Sequence, residues 1–181
     1  EPLPSLQGYL RDAFSDQELV TLNEFAVGDV PAVMQLFVCD AHSDMSSLVE
    51  TKGLHGKNVH TVEVSTVDVE VEKLGWTYLD FLKVDVEGYD FYVLKGARKT
   101  IEAGAIGIIQ FEYSSFWRTA GSTLLAARNF LEERGYEVYL VASNGLVRVP
   151  YEPWGEYCGY SNYVAVSRAW KSRIAELVFI Q

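Results

Sequence analysis

Two acids stand two residues apart in a stretch that is otherwise apolar. Asp85 and Glu87 lie in Leu79-Asp80-Phe81-Leu82-Lys83-Val84-Asp85-Val86-Glu87-Gly88. On an extended strand, residues i and i+2 point to the same face, so the two carboxylates and Lys83 share one side. Such a pair can accept a proton, bind a cation or orient a hydroxyl. A structural role is also open: Asp85 can pair with Lys83, and Glu87 can sit at the start of the helix that follows, where acids are stabilising. A third acid, Glu112, ends the next apolar run, Ile106-Gly107-Ile108-Ile109-Gln110-Phe111. Phe116, Trp117, Tyr151 and Trp154 fall in loops, where aromatic faces can stack on a sugar or a flat ring.

The elements that position these groups follow from apolar periodicity. The run from Leu79 to Val86 reads as a strand buried on both faces, the pattern of a parallel sheet. Phe91, Leu94, Ala97 and Ile101 then recur at helical spacing, and Gly104 stops the helix. Upstream, Pro4 to Phe14 predicts a helix with Leu6, Tyr9, Leu10 and Ala13 on its apolar face. Leu22–Val27 and Ala32–Cys39 predict two strands joined through Gly28-Asp29 as an antiparallel pair. Asp40 to Asn58 reads as a long polar loop suited to facing a substrate. Its histidines, and His60 beyond it, match no common zinc spacing. Val59 to Val67 alternates like a half-exposed strand. Thr66 or Asp68 is placed to cap the short helix that follows it. Further on come a strand to Tyr113, a helix from Ser122 to Arg134 and a strand from Tyr136 to Ala142. Asn144-Gly145 makes a hairpin. A strand from Tyr160 to Val166 and a terminal helix from Ala169 to Val178 close the order. The sum is an α/β fold in one domain, mostly parallel with an antiparallel end.

Composition bounds the function. The chain has 181 residues, is 49% apolar and carries a net charge of −10. That is a foldable globular composition whose charge argues against nucleic acid as a partner. No apolar run is long enough for a membrane-spanning helix. Cys39 and Cys158 stand apart, which predicts two reduced thiols and a cytoplasmic protein.

The segment FLKVDVEGYDFYVLKGA resembles the central motif of the FkbM-type methyltransferases. These are S-adenosylmethionine-dependent enzymes with a Rossmann-like class I fold. Other stretches extend the resemblance: Ser65-Thr66-Val67-Asp68 before the motif, IIQFEY with Glu112 after it, and Ser161-Asn162-Tyr163-Val164-Ala165-Val166 near the end. Glu1-Pro2 resembles the corner whose carboxylate holds the cofactor's ribose hydroxyls. The resemblance implies methyl transfer to a hydroxyl of a small molecule or glycan. It places Glu1, Ala26, Val27 and Asp85 at the cofactor, with Ala26 and Val27 in the strand nearest the adenine. Asp85 and Glu87 become the catalytic pair, and Glu112 and Trp117 face the substrate. No metal is assigned.

The family's glycine-rich turn has no counterpart here. Gly53-Leu54-His55-Gly56 and Gly104-Ala105-Ile106-Gly107 do not lie between a buried strand and a helix start. The expectation is therefore a domain lacking its first strand-helix-strand unit. It would bind cofactor poorly alone, expose an apolar sheet edge, and be weakly stable or dimerise. Two other readings stay open: a nucleotide-sugar transferase with Asp85-Val86-Glu87 as an acid-x-acid metal site, and a non-catalytic binding module on the same fold.

Overall fold

The computed structural model describes residues 1–39, 46–50, 58–148 and 150–179. The predicted loop from Asp40 to Asn58, with His42 and His55, lies largely outside them. The elements in order are α1 (Pro4–Ala13), β1 (Ala26–Val27), β2 (Ala32–Phe37), β3 (Val59–Ser65), α2 (Val67–Lys73) and β4 (Leu79–Val84). They continue with α3 (Asp90–Gly96), α4 (Arg98–Glu102), β5 (Ile106–Tyr113), α5 (Phe116–Thr119) and α6 (Leu124–Glu132). Last come β6 (Tyr136–Ala142), β7 (Gly145–Val147), α7 (Tyr151–Trp154), β8 (Ser161–Ser167), a 3₁₀ segment (Arg168–Leu177) and β9 (Val178–Phe179).

The strands form two sheets. A three-stranded sheet runs β1-β3-β2, and a six-stranded sheet runs β4-β5-β8-β6-β7-β9. This is a mixed α/β fold, but the strand directions depart from the sequence expectation. β4 pairs parallel with β5, yet β8 pairs antiparallel with both β5 and β6. β4, β5 and β6 thus run one way, and the reversed β8 is wedged between β5 and β6. One return strand turns what would be a parallel contact into two antiparallel ones, so the sheet is not mostly parallel. The Asn144-Gly145 hairpin forms as expected and joins β6 to β7. β1 and β2 do not pair with each other. They flank β3, β1 in parallel and β2 antiparallel, because β3 offers both edges and a strand of two residues has little to pair with in a hairpin.

β4 is not buried on both faces. It pairs only with β5 among the described residues, and Phe81 is 52% exposed. Lying at the sheet's edge explains why an apolar run fails to find cover on its second side. The predicted helix after it forms in two pieces, α3 and α4, broken at Ala97, whose backbone leaves the helical region. Its core face is as read: Leu94, Ala97 and Ile101 are fully buried. They pack with Ile106, Ile109, Phe111, Leu124, Ala127 and Leu131 in the main core. The C-terminal helix is instead a 3₁₀ segment, with Ile174 its buried residue.

Capping divides cleanly between two neighbours. Thr66 accepts the Val69 N–H at 3.1 Å and starts α2. Asp68 instead accepts the Lys99 and Thr100 N–H groups at 2.9 Å and the Thr100 hydroxyl at 2.7 Å. It satisfies the orphan donors of α4 and so ties α2 to α4. Gly28 and Gly96 bring the two sheets together. A Cβ on Gly96 would collide with the Gly28 carbonyl oxygen, so α3 sits against the turn after β1 only because residue 96 has no side chain. Lys95 and Asp29 form an ion pair at 3.4 Å beside this contact.

Candidate active site

β4 ends at Val84 and leaves Asp85 to Gly88 as a turn into α3. The turn is tight. Glu87 has φ of 51° and Gly88 φ of 94°. The left-handed region is uncommon for a residue with a side chain and marks a position the surroundings over-determine. Two contacts hold it. The Ser47 hydroxyl donates to the Glu87 carbonyl at 2.7 Å. A Cβ on Gly88 would press into Phe116, so glycine is required there for space as well as conformation. The backbone twist turns the Glu87 side chain toward the end of β5, where Glu112 stands.

One carboxylate oxygen from each of Asp85, Glu87 and Glu112 lies within 4.8 Å of the others. The sequence placed the first two on one face; the parallel pairing of β4 and β5 supplies the third. Like charges this close disfavour ionisation. Burial first, then the charges of Glu87, Asp85 and Asp90, push the Glu112 carboxyl up to about 7. Asp85 pairs with Lys83, as one of its two readings held. That ion pair raises the Lys83 ammonium pKa, the hydrogen bond to Asp85 being the largest cause. The N-cap residue of α3 is Tyr89, whose side chain makes no capping hydrogen bond.

Asp90 was missed by the sequence reading. It is fully buried and accepts N–H bonds from Gly88 at 3.1 Å and Glu112 at 3.4 Å. Burial pushes its carboxyl up to about 7, against the pull of those backbone donors. It therefore welds the Asp85–Gly88 turn to β5. The available signal was an acid two residues after a turn glycine at a helix start, a pattern that reads locally as a helix-dipole partner.

On the other side of the turn lies a cavity of about 270 Å³. Its walls include Glu1, Ala26, Val27, Asp85 and Glu87, so the four residues expected at the cofactor and both of the catalytic pair, Asp85 belonging to each set, open onto one space. Phe25, Leu36 and Leu48 supply apolar wall. The Glu1 carboxylate accepts the Leu3 N–H at 2.7 Å.

Trp117 does not face a substrate. It is 1% exposed and packs with Phe91, Phe111 and Tyr113 in the core, because α5 folds its indole inward. Exposed aromatics do lie in the loop before β8: Tyr157 and Tyr160. Their segment is anchored by Glu156, whose carboxylate accepts from Leu124 N–H and Leu125 N–H at 3.0 Å, Tyr113 OH at 2.8 Å and Tyr151 OH at 2.9 Å. Burial raises the Glu156 pKa, but these donors outweigh it and hold the carboxyl below its ordinary value.

The mixed α/β fold is one also seen in a solved methyltransferase. The chain belongs to the methyltransferase FkbM domain family, whose model matches residues 1–138. The fold resembles the crystal structure of methyltransferase FkbM from Methylobacillus flagellatus KT, with a TM-score of 0.51 and 18% sequence identity. The match covers 91% of this chain and 35% of that one, so the chain spans about a third of that protein's length. No curated protein matches it. Membership of this family points to methyl transfer.

Proposed function

We propose that the protein is an S-adenosylmethionine-dependent O-methyltransferase that modifies a hydroxyl of a small molecule or glycan, on a Rossmann-like class I arrangement. One observation carries this reading: Glu1, Ala26, Val27, Asp85 and Glu87 line a single cavity. The wall chemistry fits the cofactor. The Glu1 carboxylate suits a pair of ribose hydroxyls, the Phe25–Val27 stretch offers apolar surface to a flat base, and the acids at the far end suit a cation. The cofactor, when bound, supplies a methyl group on a positively charged sulfur.

The chain's own residues do the rest. Asp85, held by Lys83, lies where the cofactor cavity meets the acid cluster. Glu87 and Glu112 face the acceptor side, and a carboxyl titrating near neutrality is suited to taking a hydroxyl proton. The rigid Asp85–Gly88 turn fixes the acceptor's line of approach, and alignment of this kind contributes up to roughly 7–11 kcal/mol in model systems. The free, widely separated Cys39 and Cys158 suit a cytoplasmic location.

The test is calorimetric titration of S-adenosylhomocysteine into the chain and into E1Q and D85N. Binding weakened at least tenfold in both variants is the expected result. Equal binding by all three proteins would sink the assignment of this cavity.

A second reading rests on the carboxylate trio. Three acids within 4.8 Å can hold a hard divalent cation, as an acid-x-acid sugar-nucleotide transferase requires. Manganese-dependent binding of a uridine diphosphate sugar, lost in E87Q, would favour it over methyl transfer.

A further inference from the structure

The left-handed turn that carries Glu87 is held from outside its own sheet. Ser47, in the segment 46–50, is buried and engaged through both backbone and side chain. Its backbone is clamped to the end of β2. Phe37 N–H donates to the Ser47 carbonyl at 2.8 Å, and Ser47 N–H donates to the Phe37 carbonyl at 3.0 Å. Its hydroxyl is oriented as well. It accepts the Val49 N–H at 3.0 Å, and it donates its own proton to the Glu87 carbonyl at 2.7 Å. The two neighbours of Ser47, Ser46 and Leu48, line the cavity beside Asp85 and Glu87. One short segment thus walls the cavity and grips the acid turn.

The residue it grips is the strained one. Glu87 and Gly88 both have positive φ, 51° and 94°. A turn that needed shape alone would take glycine at both positions. Glutamate at the first keeps the strain and gains a direction, because the sign of φ decides the side on which Cβ leaves the backbone. From φ of 51°, a Glu87 carboxylate oxygen lies within 4.8 Å of one from Asp85 and one from Glu112. With an ordinary negative φ the same side chain would start out in another direction, and the trio would lose a member. A strained backbone persists only where its surroundings over-determine it, and such positions gather at functional sites. Here Gly88, packed against Phe116, fixes one side of the turn, and Ser47 fixes the carbonyl of Glu87 itself.

We propose that Ser47 is a positioning residue for Glu87. It sets the Glu87 carboxylate on the acid cluster and ties that placement to the segment that walls the cavity. Ser47 acts through Glu87 and touches neither acceptor nor reacting atoms. The link runs in one chain: β2 holds the Ser47 backbone, the Ser47 hydroxyl holds the Glu87 carbonyl, and the Glu87 side chain completes the trio. The small sheet thereby takes part in placing a carboxylate that belongs to the large one. The proposal rests on the methyl-transfer reading for what Glu87 does to an acceptor, and on the hydrogen bonds alone for how Glu87 is placed.

Crystal structures of the unsubstituted chain, S47A and S47T test it, with backbone chemical shifts of residue 87 as the same readout in solution. In S47A, residue 87 is expected to leave the positive-φ region, and its carboxylate to move beyond the 4.8 Å spacing of the trio. S47T keeps the hydroxyl and should restore both. Glu87 keeping its φ and its place in S47A would overturn the proposal. So would an S47T that loses them as S47A does. Failure of S47A to fold would overturn it too, since Ser47 would then hold the fold and not the site. None of these readouts uses a cofactor. If S-adenosylhomocysteine does not bind, the methyl-transfer reading fails and the placement of Glu87 by Ser47 is still decided on its own terms.

Discussion

The two sheets differ in how they are held. The six-stranded sheet is packed by α3, α4 and α6, and Leu94, Ile101, Ile106, Ile109, Phe111 and Leu131 are all fully buried. The three-stranded sheet has a shallow cluster of Leu3, Ala26, Leu36, Val38, Val62 and Val64. The helix before it, α1, has no buried residue, and Tyr9 and Val33 are about 70% exposed, at 71% and 69%. The candidate cofactor cavity lies on the seam, with Asp85 and Glu87 from the firm side and Glu1, Ala26 and Val27 from the loose side. Under the proposed function, the rigid wall would set the chemistry and affinity would depend on whether the second wall stays in place.

The largest effect is expected where the two regions touch. Gly96→Ala drives a methyl into the Gly28 carbonyl and should lower stability by more than about 3 kcal/mol, read as a fall in the denaturant midpoint. Tolerance of alanine there would mean that the seam is not a close contact. Next come matched core truncations. Leu94→Ala should cost about 3–4 kcal/mol, the usual range for a well-packed leucine. Leu36→Ala in the small sheet should cost less than half of that. Equal losses in chemical denaturation would erase the distinction between the regions. Hydrogen exchange gives the same comparison without mutation, since amides of β2 and β3 should exchange faster than those of β5 and β8.

A third effect concerns pH. The Asp90 carboxyl is raised to about 7 in the folded chain, from an ordinary value of 3.8. The folded state thus binds more protons than the unfolded one between these values. The Asp90 contribution to stability is full below about 4, falls as pH rises to about 7, and levels off above. Asp90→Asn should flatten that slope in thermal melts across the window. An unchanged slope would place the titration elsewhere. The smallest effect is expected at the exposed edge: Phe81→Lys should shift sedimentation toward monomer if β4 mediates self-association, with little change in melting.

Helix faces were legible in the sequence because spacing alone encodes them: Leu94-Ala97-Ile101 and Leu124-Ala127-Leu131 are buried as read. The Asp85–Glu87 pair was legible for the same local reason. Strand direction was not, since β8 finds its place beside β5 through pairing some fifty residues distant, such as Phe111 with Tyr163. The small sheet misled because Gly28-Asp29 has a hairpin's composition while β3 holds the better partners. Trp117 misled through its loop setting, and an aromatic near a glycine turn packs inward as readily as outward. Glu112 was visible at a strand end, but its meeting with Asp85 and Glu87 depends on the parallel register of β4 with β5.

Glu156 has a consequence for how this fold can diversify. Four donors from β5, α6 and the loop's own Tyr151 converge on one carboxylate. The segment ahead of it is thus pinned through Tyr151 and Glu156. Keeping Tyr151, Gly155 and Glu156 and exchanging residues 152–154 makes this a natural graft site. New lining can be installed beside Tyr157 and Tyr160 without rebuilding the sheet beneath.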